Sequence, residues 1–312
     1  MHRIPAALLG ALLLLPTAGR ADDSPDAPSR QRLGQHLFIP RETVLDPFTT
    51  TYVSSSTGLA YGYATGPTFD LNGTPVNLAD YKIVTYSQLF SGQWGIADFW
   101  AVRLRVLGSL YSGANAPGVA GVGVNGVARG AAGTTLSFQL ADNLRLGALV
   151  DVTFGPSIGI NILDSIRQSI AQGSVQTPVS TTSTTTVTPA VSLAWAIARG
   201  FGSLFNVSFV HGNVEVNTAS TDVNALILEA AFDMDLRELG SIPLGIAANV
   251  STGYSTDKTK FRRYVYGLGF FYTGRKELTL GLDLSYRRTP LGTRDIFTTS
   301  ISALISLRYS FD

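Results

Sequence analysis

Glu277-Leu-Thr-Leu-Gly-Leu-Asp-Leu-Ser-Tyr-Arg287 changes character at every residue. Leu278, Leu280, Leu282, Leu284 and Tyr286 share one parity; Thr279, Gly281, Asp283, Ser285 and Arg287 share the other. Side chains alternate across a β-strand, so the segment reads as a strand with one oily face and one polar or tiny face. The closing stretch Ile301-Ser-Ala-Leu-Ile-Ser-Leu-Arg-Tyr-Ser-Phe311 repeats the pattern. A helix would need a period near 3.6, and neither stretch has one.

Working outward, residues 244–254, 225–236, 144–154 and 100–110 follow the same template. Residues 264–273, 191–199, 201–211, 134–140, 52–63 and 81–90 follow it less strictly, which makes twelve expected strands. Short connections are expected near residues 93–95, 141–143, 200–202, 239–243 and 274–276. Long ones are expected at 65–78, 113–133, 155–189, 212–222, 255–262 and 289–299. Tight turns at one end and long loops at the other is the connection pattern of a transmembrane barrel. With both termini on one side, every tight turn falls on that side.

Composition narrows the classes. Of 312 residues 45 % are hydrophobic and 14 % charged, against about 25 % charged in soluble domains. Outside the N-terminus no apolar run is long enough for a membrane-spanning helix. The absence of Cys removes disulfides, thiolate metal sites and Cys nucleophiles, and three His leave little for a His-based metal site. No cofactor is expected. Residues 1–21 read as a signal peptide: Arg3 is the positive end, residues 6–15 are a short apolar core, and Gly19-Arg20-Ala21 offers cleavage before Asp22. The mature chain is then nearly neutral, which gives no reason to expect nucleic acid as a partner. Residues 22–50 are expected as an irregular periplasmic segment, a candidate lumen plug, and 51–312 as the barrel.

From Tyr52 to Asp312 the chain resembles a bacterial outer-membrane β-barrel. Ser306-Leu-Arg-Tyr-Ser-Phe311, with aromatics at alternating positions, is similar to the C-terminal strand by which such chains engage the barrel-assembly machinery; here one residue, Asp312, follows the aromatic. The resemblance implies an all-β, closed antiparallel up-and-down barrel in the bacterial outer membrane, with lipid outside and small solutes as partners. It points to no single family. Independently, only helices and closed barrels satisfy every backbone polar group in hydrocarbon, and a strand crosses in about 9–11 residues. A secreted β-sandwich would also alternate, but its outer faces would carry more Lys and Glu than the Gly, Ala, Ser and Thr found here.

The polar parity places Arg103, Arg105, Arg145, Asp151, Glu229, Asp233, Asp235, Asp283, Arg287 and Arg308 in the lumen. They read either as a polarised pore lining that selects solutes or as an internal salt-bridge network filling a structural barrel, since a buried charge needs a partner. Inward Leu107, Leu149, Ile227 and Phe271 would suit a carrier for apolar molecules. Ile158, Ile162, Ile166 and Ile170, at i, i+4 spacing, predict a helix over residues 157–172, which either folds into the barrel mouth as a constriction or rests on the rim. Gly121-Val-Gly-Val-Asn-Gly126 matches a dinucleotide fingerprint in letters only, and reads as a flexible loop because a strand rather than a helix is expected to follow. His211 is the one candidate for an outer-membrane hydrolase, but strand parity turns it outward while Ser208 faces the lumen, so a base and nucleophile would not meet. His36, ahead of the barrel, is expected to carry no role.

Overall fold

The computed structural model describes residues 31–69, 75–160, 165, 169, 179–216, 219–240, 242–255, 262–275, 277–290 and 297–311. The expected signal peptide lies outside them, as do Ile162, Ile166 and Ile170. Two two-residue strands, β1 (Arg32–Leu33) and β2 (His36–Leu37), form a hairpin. Twelve long strands follow: β3 (Thr51–Phe69), β4 (Pro75–Ala97), β5 (Trp100–Gly113), β6 (Val124–Ala141), β7 (Leu144–Ile160), β8 (Val179–Ala198), β9 (Phe201–Val216), β10 (Ala219–Asp235), β11 (Leu244–Ser255), β12 (Arg262–Tyr272), β13 (Leu278–Pro290) and β14 (Phe297–Phe311). Each pairs antiparallel with the next, and β14 pairs with β3 from Phe311↔Thr51 to Thr298↔Ala64, closing the barrel. Closure leaves no strand edge, the condition for burying a sheet in lipid.

The register carries the alternation into space. Leu280, Leu282, Leu284 and Tyr286 on β13 are exposed on the outside, beside Ile301, Ile305, Leu307, Tyr309 and Phe311 on β14. Trp94, Trp100, Phe138, Trp195, Phe201 and Tyr272 face outward near the tight turns, and Tyr61, Tyr63 and Tyr286 near the opposite end. At that opposite end the guanidinium of Arg262 lies over Tyr254 and that of Arg288 over Phe297. Two aromatic belts bounding an oily band mark where a bilayer sits. This is the outer surface of a membrane-spanning barrel.

Several strands run farther than their oily alternation. Both ends of the region 155–189, expected as a long connection, are strand: β7 continues to Ile160 and pairs with β8 from Val179. The Thr-rich run 181–188 is β-branched, which suits a pleated strand, and its Thr182, Thr184 and Thr186 take the lumen parity. Ile158 is therefore not the first residue of a constriction helix. It lies in β7, exposed on the outside and opposite Thr181. Ser165 and Ser169 are helical, the Ser169 hydroxyl donating to the Ser165 carbonyl. The expected connection 212–222 is also mostly strand, with Val216 opposite Ala219, so one junction at the long-loop end is tight.

Between β5 and β6 a short helix, α1 (Ala116–Val122), is capped by Asn115, whose Oδ1 accepts from Gly118 N and from Lys82 N while its Nδ2 donates to the Asp80 carbonyl. The Gly121–Gly126 stretch is thus the end of α1, a Gly123 with φ +67° that terminates it, and the start of β6, not a flexible loop. At the tight-turn end, α2 (Leu236–Gly240) joins β10 to β11, and Asp235 Oδ1 accepts from Arg237 N and from the Thr273 hydroxyl.

Candidate functional site

The inward faces divide the lumen into two halves. On β8, Ala190, Ser192, Ala194 and Ala196 are buried, whereas Thr182, Thr184, Thr186 and Thr188 are partly open to solvent. On β14, Ser306, Arg308 and Ser310 are buried, whereas Ser300, Ser302 and Leu304 are not. On β5, Ala101 and Arg103 are buried and Arg105, Leu107, Ser109 and Tyr111 are not. In each case the change comes a few residues in from the tight turns.

Residues 31–50 cause it, because they fill that half of the barrel. The β1–β2 hairpin turns at Gly34, φ +56°, against the 141–144 turn. His36 follows, fully buried, its Nε2 3.0 Å from Asp233 Oδ1 and its ring edge-on to Phe38. The other oxygen of Asp233 accepts from the Ile39 N–H at 2.6 Å. Ile39 packs with Ala247 and Phe271 over Gly245. Arg41 donates from Nε and Nη2 to Asp283 Oδ1, both side chains buried. Glu42 accepts from Ser91, and the Leu45 carbonyl accepts from Asn206 Nδ2. The chain then descends: Gln93 Nε2 donates to the Phe48 and Thr50 carbonyls, and the Thr49 hydroxyl donates to the Asp98 carbonyl in the β4–β5 turn.

Leu33, Phe38, Val44 and Phe48 form the core of this plug against Ala194, Ala196, Leu204 and Ala231 of the wall. Small inward residues make the space. A Cβ on Gly202 would lie 2.5 Å from the His36 ring, and one on Gly245 would collide with Ile39. The plug is an outlying apolar cluster inside a polar tube, held by a few buried charges that are paired across the plug–wall contact: His36 with Asp233 and Arg41 with Asp283.

Each charged position expected in the lumen has a definite place. Arg103 makes two hydrogen bonds to Asp151, at 2.9 and 2.8 Å, and Arg105 is 3.9 Å from the same carboxylate. Arg145 lies over the Phe48 ring at 5.5 Å. Glu229 accepts from Asn206 and Asn249 amides. Asp233 and Asp283 seat the plug; Asp235 caps α2; the Arg308 guanidinium stacks 3.5 Å from the centre of the Tyr52 ring. Arg287 lies in the open half and is solvent-exposed. Leu149 and Phe271 are buried beneath the plug, while Leu107 and Ile227 are in the open half.

The expectation that His36 carries no role is overturned by its burial and its bond to Asp233. Arg41 and Glu42 also belong to the site and had no periodic signal of their own; Asn206 and Asn249 belong to it too, on the inward parity of expected strands. Arg129, on the inward parity of β6, lies within the expected connection 113–133, and Arg263, on the inward parity of β12, lies just ahead of the strand expected from 264; extending the strands by parity finds both. His211 faces outward with its Nδ1 2.6 Å from Asn224 Oδ1, on the opposite side of β9 from Ser208.

No protein-family model matches the chain, and no curated protein matches it. Among solved structures, it resembles the translocator domain of the autotransporter NalP from Neisseria meningitidis, at 11 % identity over 84 % of this chain and 89 % of that one, with a TM-score of 0.53. A Pseudomonas aeruginosa FadL homologue is similar at 10 % identity over 91 % and 97 %, with a TM-score of 0.53. The β-domain of the Bordetella autotransporter BrkA is similar at 11 % identity over 83 % and 99 %, with a TM-score of 0.50. At these identities the likeness is one of fold: the chain is a transmembrane barrel of the bacterial outer-membrane type.

Proposed function

We propose that the protein is an outer-membrane channel for small polar solutes, closed on its periplasmic side by its own N-terminal segment. The observation that carries this reading is the switch, along the inward faces of β5, β8 and β14, from buried residues to half-buried ones. A barrel with a purely structural, filled lumen has no use for a wetted half. A carrier for apolar molecules would keep its apolar lining accessible, yet Leu149 and Phe271 lie under the plug, and in the open half Leu107, Ile227 and Leu304 are interspersed with Ser, Thr and Arg. In this reading residues 1–21 direct export, the tight turns face the periplasm, and the β14 segment Ser306–Phe311 is the assembly signal.

The test is a planar-bilayer recording of the full mature chain against a chain lacking residues 31–48, with heat-modifiable gel mobility confirming that both barrels are folded. Small or infrequent conductance steps are expected for the full chain and large, lasting ones for the shortened chain. Equal conductance in the two would refute the plug, and no steps in either would refute the channel.

A further inference from the structure

The charges of the two halves are unequal, and the plug makes them so. Asp233 and Asp283 are occupied by His36, the Ile39 N–H and Arg41. Asp151 is held by Arg103, and Glu229 accepts from two amides. The wetted half retains Arg263 on β12 and Arg287 on β13, each nine residues along its strand from the tight-turn end. Arg129 stands on β6, six strands around the barrel from β12 and so across the lumen. Among the described residues none of these three has a carboxylate within 4.0 Å.

Arg263 and Arg287 are diagonal neighbours: Arg287 is opposite Val265 and Arg263 is two residues farther along. Diagonal positions in an antiparallel pair are roughly 7–8 Å apart, within reach of two long side chains converging on one small ligand. Arg263 also has a buried Nε without a hydrogen-bond acceptor. Two adjacent guanidinium groups form planar forks that match the two oxygens of a carboxylate. Like charges held side by side on a pore wall repel one another and gain from an anion between them.

We infer that Arg263 and Arg287 form a binding site for small carboxylates in the open half of the lumen, with Arg129 adding positive potential from the opposite wall. The inference rests on the channel reading and gives it a solute class. It requires no chemistry, only capture of an anion above the plug.

The experiment uses the full mature chain in detergent and in bilayers, as wild type and as Arg263→Gln/Arg287→Gln, with acetate as the probe. Saturation-transfer NMR is expected to show acetate contact with the wild type, weakened by added chloride and lost in the double variant. In a KCl gradient the wild-type reversal potential is expected to have the anion-preferring sign. The chloride-to-potassium permeability ratio is expected to fall by about threefold or more in the variant, as for charged rings that set pore selectivity. Acetate contact that persists in the folded variant, or a cation-preferring wild type, would overturn the inference. Absence of any current would overturn the channel reading alone, because the NMR arm still decides whether the arginine pair binds a carboxylate.

Discussion

Arg41 and Asp283 show how much a single residue contributes to this molecule. Both are buried, and each is the other's ion-pair partner. Removing one partner of such a pair leaves an uncompensated charge and costs about 3–5 kcal/mol, whereas replacing both with apolar groups is often close to neutral. Arg41→Met should therefore unseat the plug, and Arg41→Met/Asp283→Leu should partly restore it. The measurement is hydrogen exchange of the amides in residues 31–50, read by mass spectrometry. If the single variant exchanges no faster than wild type, the pair does not hold the plug. The acidic half of this pair was legible, because Asp283 sits on the polar parity of an unmistakable strand. Arg41 was not, because nothing in an irregular Pro-rich segment says which of its side chains will meet the wall.

At the scale of the element, the plug and the strands differ in kind. Every strand of the wall has two hydrogen-bonded neighbours, while residues 31–50 hold on through a two-residue hairpin and scattered side-chain bonds. Segments with few backbone hydrogen bonds open at lower free energy than the core of a sheet. Urea is expected to raise the conductance of the reconstituted protein at concentrations that leave the heat-modifiable barrel intact; loss of both together would argue that plug and wall unfold as one. Gly202 isolates the same contact. Its Cβ position is occupied by the His36 ring, so Gly202→Val should speed exchange in residues 31–39 without altering barrel mobility on a gel. Element boundaries were the least legible feature in the sequence. β7 and β8 extend past the oily band into Gly- and Thr-rich chain, where alternation of apolar and polar residues has no lipid to enforce it. The isoleucine spacing therefore placed the start of the expected helix at residues 157–160, where a strand still runs.

For the whole molecule the governing quantity is the difference between its two surfaces. The outside must be oily across the bilayer, and the inside must be polar or small. Ile305 and its β13 partner Leu282 are exposed in the middle of the outer band. Ile305→Arg should cost about 2–4 kcal/mol in a lipid bilayer, the expected penalty for a cation near the midplane on the lipid face. Urea titration of the barrel folded into vesicles measures it. An equal cost for Ser302→Arg, whose side chain faces the wetted lumen, would contradict the assignment of the two faces.

Period-two alternation, a charge-poor composition and the aromatic C-terminal strand were sufficient to point to a closed antiparallel barrel of about twelve strands and to the residues that face lipid. These follow from local chemistry: a strand in hydrocarbon must alternate, and a sheet there must close. The occupied half of the lumen was decided only by the tertiary structure. Asp233 meets His36 and Asp283 meets Arg41 across separations of 197 and 242 residues. No periodicity relates a segment inside the tube to the wall it touches; shape and charge complementarity alone place it there.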